Sequence, residues 1–121
     1  MALGGAAGAS LRFLVVSWAG RALPGFPWGT LIVNVVGSAL MGVIAVALME
    51  RFGGSLARFA PLLMTGVLGG FTTFSAFSLD ALSLIERGRA VEALGYIGAS
   101  VALSIGALWL GLLLGRAVLA P

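Results

Sequence analysis

The chain has 121 residues, of which 60% are hydrophobic and only 9% are charged. A soluble domain carries about a quarter charged residues, and so short a domain buries too little of its surface to hide this much apolar area. The composition therefore predicts a protein that is solvated by lipid. The absence of Cys and His excludes disulfides, thiol chemistry and imidazole metal sites. The few scattered arginines do not form the basic patch that nucleic-acid binding needs. No basic N-terminal region precedes a short apolar stretch, so we do not expect a cleaved signal peptide.

Four segments meet the length of about 20 apolar residues that a membrane-spanning helix requires. In chain order they cover about residues 3–23, 28–49, 61–84 and 91–114. Pro24 and Pro27 mark the first turn, and Pro61 is a favourable first-turn residue for the third helix. The sequence thus predicts an all-α integral membrane protein with a single four-helix transmembrane domain, residues 1–121, and both termini on the same side.

The arginines outside the spans do not favour either orientation in the membrane. Three lie on each side, namely Arg51, Arg58 and Arg116 on the side of the termini and Arg21, Arg87 and Arg89 on the other. Because an arginine excess normally marks the cytoplasmic side, this balance favours insertion both ways up, although a single orientation stays possible. Two oppositely oriented copies could then form an antiparallel homodimer with two-fold symmetry.

Two helices carry polar residues at a spacing of four, which places them on one helical face. The second span has the series Thr30, Asn34, Ser38 and Gly42, and the fourth has Tyr96, Ser100 and Ser104. Such stripes serve either as interhelical contacts or as a polar track. Gly111 and Gly115 have the small-xxx-small spacing that packing explains better.

The charged residues narrow the possible mechanisms. Arg12 lies in the first span and either extends to an interface or forms an electropositive vestibule. No acid lies at the centre of a span, since Asp80 is in the last turns of the third and the glutamates lie at span ends or in loops. A proton-coupled exporter needs a titratable group within the membrane, so passive conduction is favoured.

The stretch GGFTTFSAFS, residues 69–78, predicts a break inside the third span. Broken backbone at membrane depth is tolerated only where it is buried in protein or lines a cavity. Carbonyls released along Gly69-Gly70 and Thr72-Thr73 suit a hard cation such as Na⁺, and two copies would together supply about four of them. Phe74 and Phe77 are three residues apart and are either lipid or core contacts or a pair whose positive ring edges face an anion path.

The same stretch, extended to GGFTTFSAFSLD, closely resembles the third-helix signature of the Fluc (CrcB-type) fluoride channels. GTLIVNVVGSALMG, residues 29–42, resembles their second-helix signature, and GGAAGASLR, residues 4–12, their N-terminal segment. The resemblance covers the chain in length, number of spans and order. It implies a passive fluoride channel in the cell inner (cytoplasmic) membrane, built as a dual-topology antiparallel homodimer with two pores and one central structural Na⁺.

The resemblance also implies roles for individual residues. The backbone carbonyls of Gly69 and Thr72 would hold the Na⁺, and Arg12 would lie towards the vestibule. The fluoride path would be lined by an amide, an aromatic pair and a hydroxyl track, namely Asn34, Phe74, Phe77, Tyr96, Ser100 and Ser104. The family commonly has Thr where this chain has Ala76, so we expect Ser75 or Ser78 to replace that hydroxyl in part.

Two other functions remain alternatives to a fluoride channel. A small dual-topology, proton-coupled exporter of cationic drugs would share the size and charge balance, but it should carry a glutamate in the middle of its first span, and this chain has none. A non-transporting membrane scaffold would use the polar stripes for packing alone. Fluoride and chloride flux from liposomes would separate the three.

Overall fold

The computed structural model describes residues 1–51 and 54–119, and these residues are almost entirely helical. The α-helices are α1 (Ala2–Ala22), α2 (Trp28–Ala45), α3 (Gly69–Phe71), α4 (Ser75–Glu86) and α5 (Ala90–Val118). π-helical segments at Val46–Arg51 and Pro61–Leu68 and a 3₁₀ segment at Gly54–Phe59 lie between α2 and α3. No strand occurs in these two ranges, so the predicted all-α fold is confirmed.

Four helical stretches are long and apolar enough to cross a membrane. They cover Ala2–Ala22, Trp28–Glu50, Ala57–Glu86 and Ala90–Val118, which confirms the predicted number of spans. The last span continues past Leu114, and the third is already helical four residues before Pro61. The π-helical segments on either side of the second loop were not predicted, because no apolar pattern distinguishes them from α-helix.

Helix α2 packs most extensively on α5, and small residues allow this close approach. A Cβ atom added to Gly42 would collide with the Leu108 carbonyl oxygen, and one added to Gly111 would collide with the Ala39 carbonyl oxygen. Gly115 faces Val46 in the same way, with an added Cβ 3.0 Å from the Val46 Cβ. The packing role that the sequence assigned to Gly111 and Gly115 is therefore confirmed.

Helix α1 packs on the first half of the third span, again through glycines. A Cβ on Gly8 would collide with the Val67 carbonyl oxygen, and one on Gly70 would lie 2.7 Å from the Gly5 carbonyl oxygen. Backbone therefore meets backbone along this seam, which fixes the position of the helix end at Phe71.

The two loops at the opposite end of the bundle from the N-terminus are short and turn at glycines. Gly25 between α1 and α2 has φ 96°, and Gly88 between α4 and α5 has φ 76°, conformations that residues with a Cβ rarely adopt. The tight turns place the end of α4 beside the first loop. Tyr96 and Leu84 are fully buried between these elements, whereas side chains such as Phe13 and Trp109 are exposed on the outer surface.

Candidate functional site

The third span is broken between Phe71 and Ser75, close to the midpoint of Ala57–Glu86. Thr72 is extended, with φ −87° and ψ 159°, and α4 resumes after Phe74. The Thr72 backbone N–H still donates to the Leu68 carbonyl at 3.0 Å, and so does its hydroxyl. Gly37 on α2 makes room for this bend, because a Cβ there would collide with the Thr72 methyl group.

The Asn34 side chain on α2 forms hydrogen bonds with both backbone groups of Thr73, a residue of the break. Its Nδ2 donates to the Thr73 carbonyl at 3.0 Å, and its Oδ1 accepts from the Thr73 N–H at 2.8 Å. The amide thus replaces the helical partners that Thr73 has lost, which answers the requirement that buried backbone groups be paired. Because a primary amide has two N–H donors, one Asn34 hydrogen stays available for another acceptor.

At the break, two backbone N–H groups donate to side chains and not to the carbonyls that they would bond in a continuous helix. In a continuous helix the Thr73 N–H would donate to Gly69 and the Ala76 N–H to Thr72. Here the Thr73 N–H goes to Asn34, and the Ala76 N–H goes to the Thr73 hydroxyl at 3.2 Å. Gly69 and Thr72, the two residues proposed from sequence as cation ligands, are among the residues whose carbonyls lose their usual helical donors at the break.

The broken segment, α2 and α5 enclose a cleft of about 530 Å³, which we call the main cleft. It brings together most of the residues that the sequence analysis selected, namely Asn34, Ser38, Gly69, Thr72, Phe74, Phe77, Ser100 and Ser104. Val101, Ile105 and Leu108 complete the apolar part of its wall. The cleft is open on one side, where Phe74 is 77% exposed.

Ser100 supplies an unsatisfied donor to the main cleft. Its side chain is buried, and its Oγ has no hydrogen-bond partner among the residues that the structure describes. An unpaired buried hydroxyl costs about 1–3 kcal/mol, so such groups normally meet water or a ligand. Ser104 lies one turn further along α5 on the same face and is half-buried.

Five aromatic rings form a continuous row from the main cleft to the first loop, which we call the aromatic row. Neighbouring centroids are 5.5 Å apart for Phe74 and Phe77, 5.2 Å for Phe77 and Tyr96, and 5.5 Å for Tyr96 and Phe26. Trp28 ends the row, 4.6 Å from Phe26. Phe26 meets the Tyr96 ring edge-on, at 89°. Sequence spacing revealed only the pair Phe74 and Phe77, because the other members come from different elements.

Tyr96 lies behind the main cleft and not on its wall. Its hydroxyl donates to Asp80 Oδ2 at 3.3 Å, and the Thr30 hydroxyl donates to the same oxygen at 2.7 Å. Sequence spacing places Thr30 on the stripe of Asn34 but does not reveal its contact with Asp80, the acid nearest to a span interior. The residues at four-residue spacing on α2 therefore have different roles: Thr30 binds Asp80, Asn34 binds the broken backbone, and Gly42 packs on α5.

Besides Tyr96, two selected residues lie outside the main cleft. Ser75 is exposed, with its Oγ 3.4 Å from the Thr73 hydroxyl. Arg12 is half-buried on α1, a helix that contributes no residue to the cleft wall. Ser78, considered as a replacement for the hydroxyl missing at Ala76, is exposed and donates to the Phe74 carbonyl within its own helix.

Comparison with known proteins agrees with this architecture. The family model of the CrcB-like protein, camphor resistance (CrcB), matches residues 1–112. Curated relatives named fluoride-specific ion channel FluC include those of Rhizobium etli (strain CIAT 652), 56% identical over 98% of this chain and 94% of the relative, and Paracoccus denitrificans (strain Pd 1222), 52% identical over 99% and 94%. A third, from Cereibacter sphaeroides (strain ATCC 17029), is 57% identical over 93% and 88%. The chain is a multi-pass membrane protein, and it belongs to the CrcB (FluC) family.

Proposed function

We propose that this protein is a passive, fluoride-selective ion channel of the inner membrane that lets fluoride leave the cytoplasm. The relatives just described are named fluoride-specific ion channels. The observation that carries the proposal is the main cleft itself, where the buried, unpaired Ser100 hydroxyl and the spare Asn34 N–H lie beside a break in the third span. These are neutral donors, and the wall of the cleft carries no charged side chain among the described residues.

Neutral donors suit the conduction of a small, strongly hydrated anion. Fluoride must exchange its water for other hydrogen-bond donors as it moves, and a conducting path needs several weak sites in place of one tight site. The Asn34 amide on α2 and the hydroxyls of Ser100 and Ser104 on α5 provide such sites within the main cleft. Phe74 and Phe77 add ring edges, which carry partial positive charge and favour an anion without binding it strongly. Hydrogen-bond donors of the protein therefore replace the water around fluoride, and conduction needs no proton transfer or catalytic step.

The open side of the main cleft supports a homodimer. Phe74 and Gly69 are exposed there, so a single copy leaves the donor-lined wall facing the surroundings. A second copy in the opposite orientation would close the path, and the equal arginine counts on the two sides allow such a pair to insert. Two-fold symmetry would then produce two equivalent pores at the interface.

A structural Na⁺ fits the released carbonyls. Gly69 and Thr72 lose their usual helical donors at the break, and oxygen ligands without a competing donor suit a hard cation. One copy offers too few such oxygens, whereas two copies facing each other offer roughly four. When bound, the ion would be coordinated by these neutral carbonyls in place of their lost N–H donors, and it would link the two subunits.

Flux from liposomes tests the proposal. Purified protein is reconstituted with fluoride and chloride inside, and the efflux of each is followed with ion-selective electrodes. We expect fluoride efflux without chloride efflux, driven by the fluoride gradient alone. Proton-coupled uptake of an organic cation would instead support the drug exporter. Folded protein that passes neither anion would refute the channel and support a scaffold.

A further inference from the structure

A second cavity of about 210 Å³ lies at the end of the bundle near the first loop, and we call it the outer cavity. Its wall is made by Phe26 and its neighbours in that loop and by the end of α4, including Asp80, Ser83 and Arg87. At about 30 Å³ per water molecule, it has room for a small ion with part of its hydration shell. None of the roles proposed above uses this cavity.

Tyr96 and its partners separate the outer cavity from the main cleft. Phe77 lines the main cleft, Phe26 lines the outer cavity, and the Tyr96 ring lies between them, with centroid distances of 5.2 Å to Phe77 and 5.5 Å to Phe26. The Tyr96 hydroxyl also donates to Asp80, which lines the outer cavity. The outer cavity is therefore the space on the far side of the Tyr96 ring from the main cleft, where an ion that passed this ring would arrive.

The charges of the outer cavity determine what can occupy it. Asp80 is the one carboxylate on its described wall, and alone it would repel an anion. Arg87 is the one cation on that wall, and its guanidinium has no ion-pair partner in residues 1–51 and 54–119. Two residues further on, Arg89 pairs with Glu92 and does not line the cavity. Arg87 is thus the group positioned to offset Asp80 there.

We propose that the outer cavity is the mouth of the anion path and that Arg87 keeps its potential favourable for a halide despite Asp80. This proposal rests on the proposed channel function, since it concerns how a permeant anion reaches the main cleft. The alternative role for Arg87 is purely structural, because a cation near a helix C-terminus also stabilises the helix dipole. The two roles differ in their consequence: only the first makes anion entry depend on charge at residue 87.

The first test compares Arg87→Gln with Arg89→Gln. Both substitutions remove one positive charge from the same loop, but only Arg87 lines the outer cavity. Initial fluoride efflux from liposomes is measured at low fluoride, in about 10 mM and about 1 M of a salt with a large impermeant anion, where the screening lengths are about 30 Å and 3 Å. We expect Arg87→Gln to lower efflux at least about threefold at low salt and much less at high salt, and Arg89→Gln to have a clearly smaller effect at low salt because Arg89 lies outside the cavity wall.

A second test restores the charge chemically. Because the chain has no cysteine, Arg87→Cys provides a unique thiol that methanethiosulfonate reagents can label. A reagent carrying an ammonium group should raise fluoride efflux towards the wild-type rate, and one carrying a sulfonate should lower it further. Arg89→Cys, labelled in the same way, should respond much less to either reagent. A structural cation would not produce opposite responses to the two reagents.

The outcomes separate this proposal from the channel function. If the wild type conducts fluoride but Arg87→Gln and Arg89→Gln behave alike, or if the loss in Arg87→Gln is the same at both salt concentrations, the mouth is not where we place it. If Arg87→Gln fails to fold, the test depends on Arg87→Cys. If this variant conducts fluoride at the wild-type rate whichever reagent labels it, the proposal is also overturned. A wild type that passes no fluoride would refute the channel function instead.

Discussion

Replacing Asn34 with leucine should destabilise the break in the third span as well as slow fluoride. The change removes both hydrogen bonds to Thr73, at 2.8 Å and 3.0 Å, and leaves its N–H and carbonyl unpaired. Thr73 is only 9% exposed, so water cannot readily replace them. At about 1–3 kcal/mol for each unpaired group, less about 1 kcal/mol for added apolar contact, we expect a loss of about 3 kcal/mol.

Unfolding by denaturing detergent would measure this loss, with Ser10→Ala as the matched control. Ser10 donates to the Ala6 carbonyl within exposed α1, so its removal costs one side-chain hydrogen bond without disturbing the break. For this control we expect the free energy of unfolding to change by less than about 1 kcal/mol and fluoride efflux to match the wild type. Asn34→Leu should show almost no fluoride efflux.

Asn34→Asp sharpens the test. A protonated carboxyl can donate to one Thr73 group and accept from the other, whereas a carboxylate only accepts. The stability of this variant should therefore approach that of the wild type in acid and fall as the pH rises, while that of Asn34→Leu should stay low throughout. If Asn34→Leu unfolds at the same detergent fraction as the wild type, Asn34 does not support the break.

Other substitutions test the remaining parts of the site. Phe74→Ile should reduce fluoride efflux at least about tenfold, since an alkyl group has no positive edge, while Phe13→Ile on the exposed face of α1 should leave it unchanged; equal rates in the two would remove Phe74 from the path. Thr30→Val should cost about 1.5–3 kcal/mol in detergent unfolding, because a 2.7 Å hydrogen bond to the Asp80 carboxylate is lost; no change would mean that this bond is not formed in the membrane. Gly8→Leu should prevent stable folding by forcing α1 away from the Val67 carbonyl, and a normally folded variant would contradict the close seam. Replacing Na⁺ with a larger cation throughout folding should weaken the dimer or its activity, and full activity after verified Na⁺ removal would argue against a central site.

Several features follow from local sequence because they depend on solvent and on single residues. A chain with so little charge cannot fold as a soluble domain, and prolines such as Pro24 and Pro61 mark boundaries between its spans. The break was predictable for the same reason: glycines followed by hydroxyls and phenylalanines favour a helix poorly. The glycine spacing at 111 and 115 likewise indicated packing, which the contacts with Ala39 and Val46 confirm.

What the sequence by itself determined is thus an all-helical membrane fold with four spans, an interruption in the third, and the family to which the chain belongs. Tertiary structure alone decided which groups meet there. The pairing of Asn34 with Thr73, the convergence of Thr30 and Tyr96 on Asp80, and the extension of the aromatic row to Phe26 all join residues from different helices. Periodicity reports the face of one helix on which a residue lies, but the rotation and distance between helices depend on how small residues such as Gly37 and Gly42 allow backbones to approach. Those contacts determine where the hydrogen-bond donors of the main cleft lie, and where the two cavities and the charged side chains beside them are positioned.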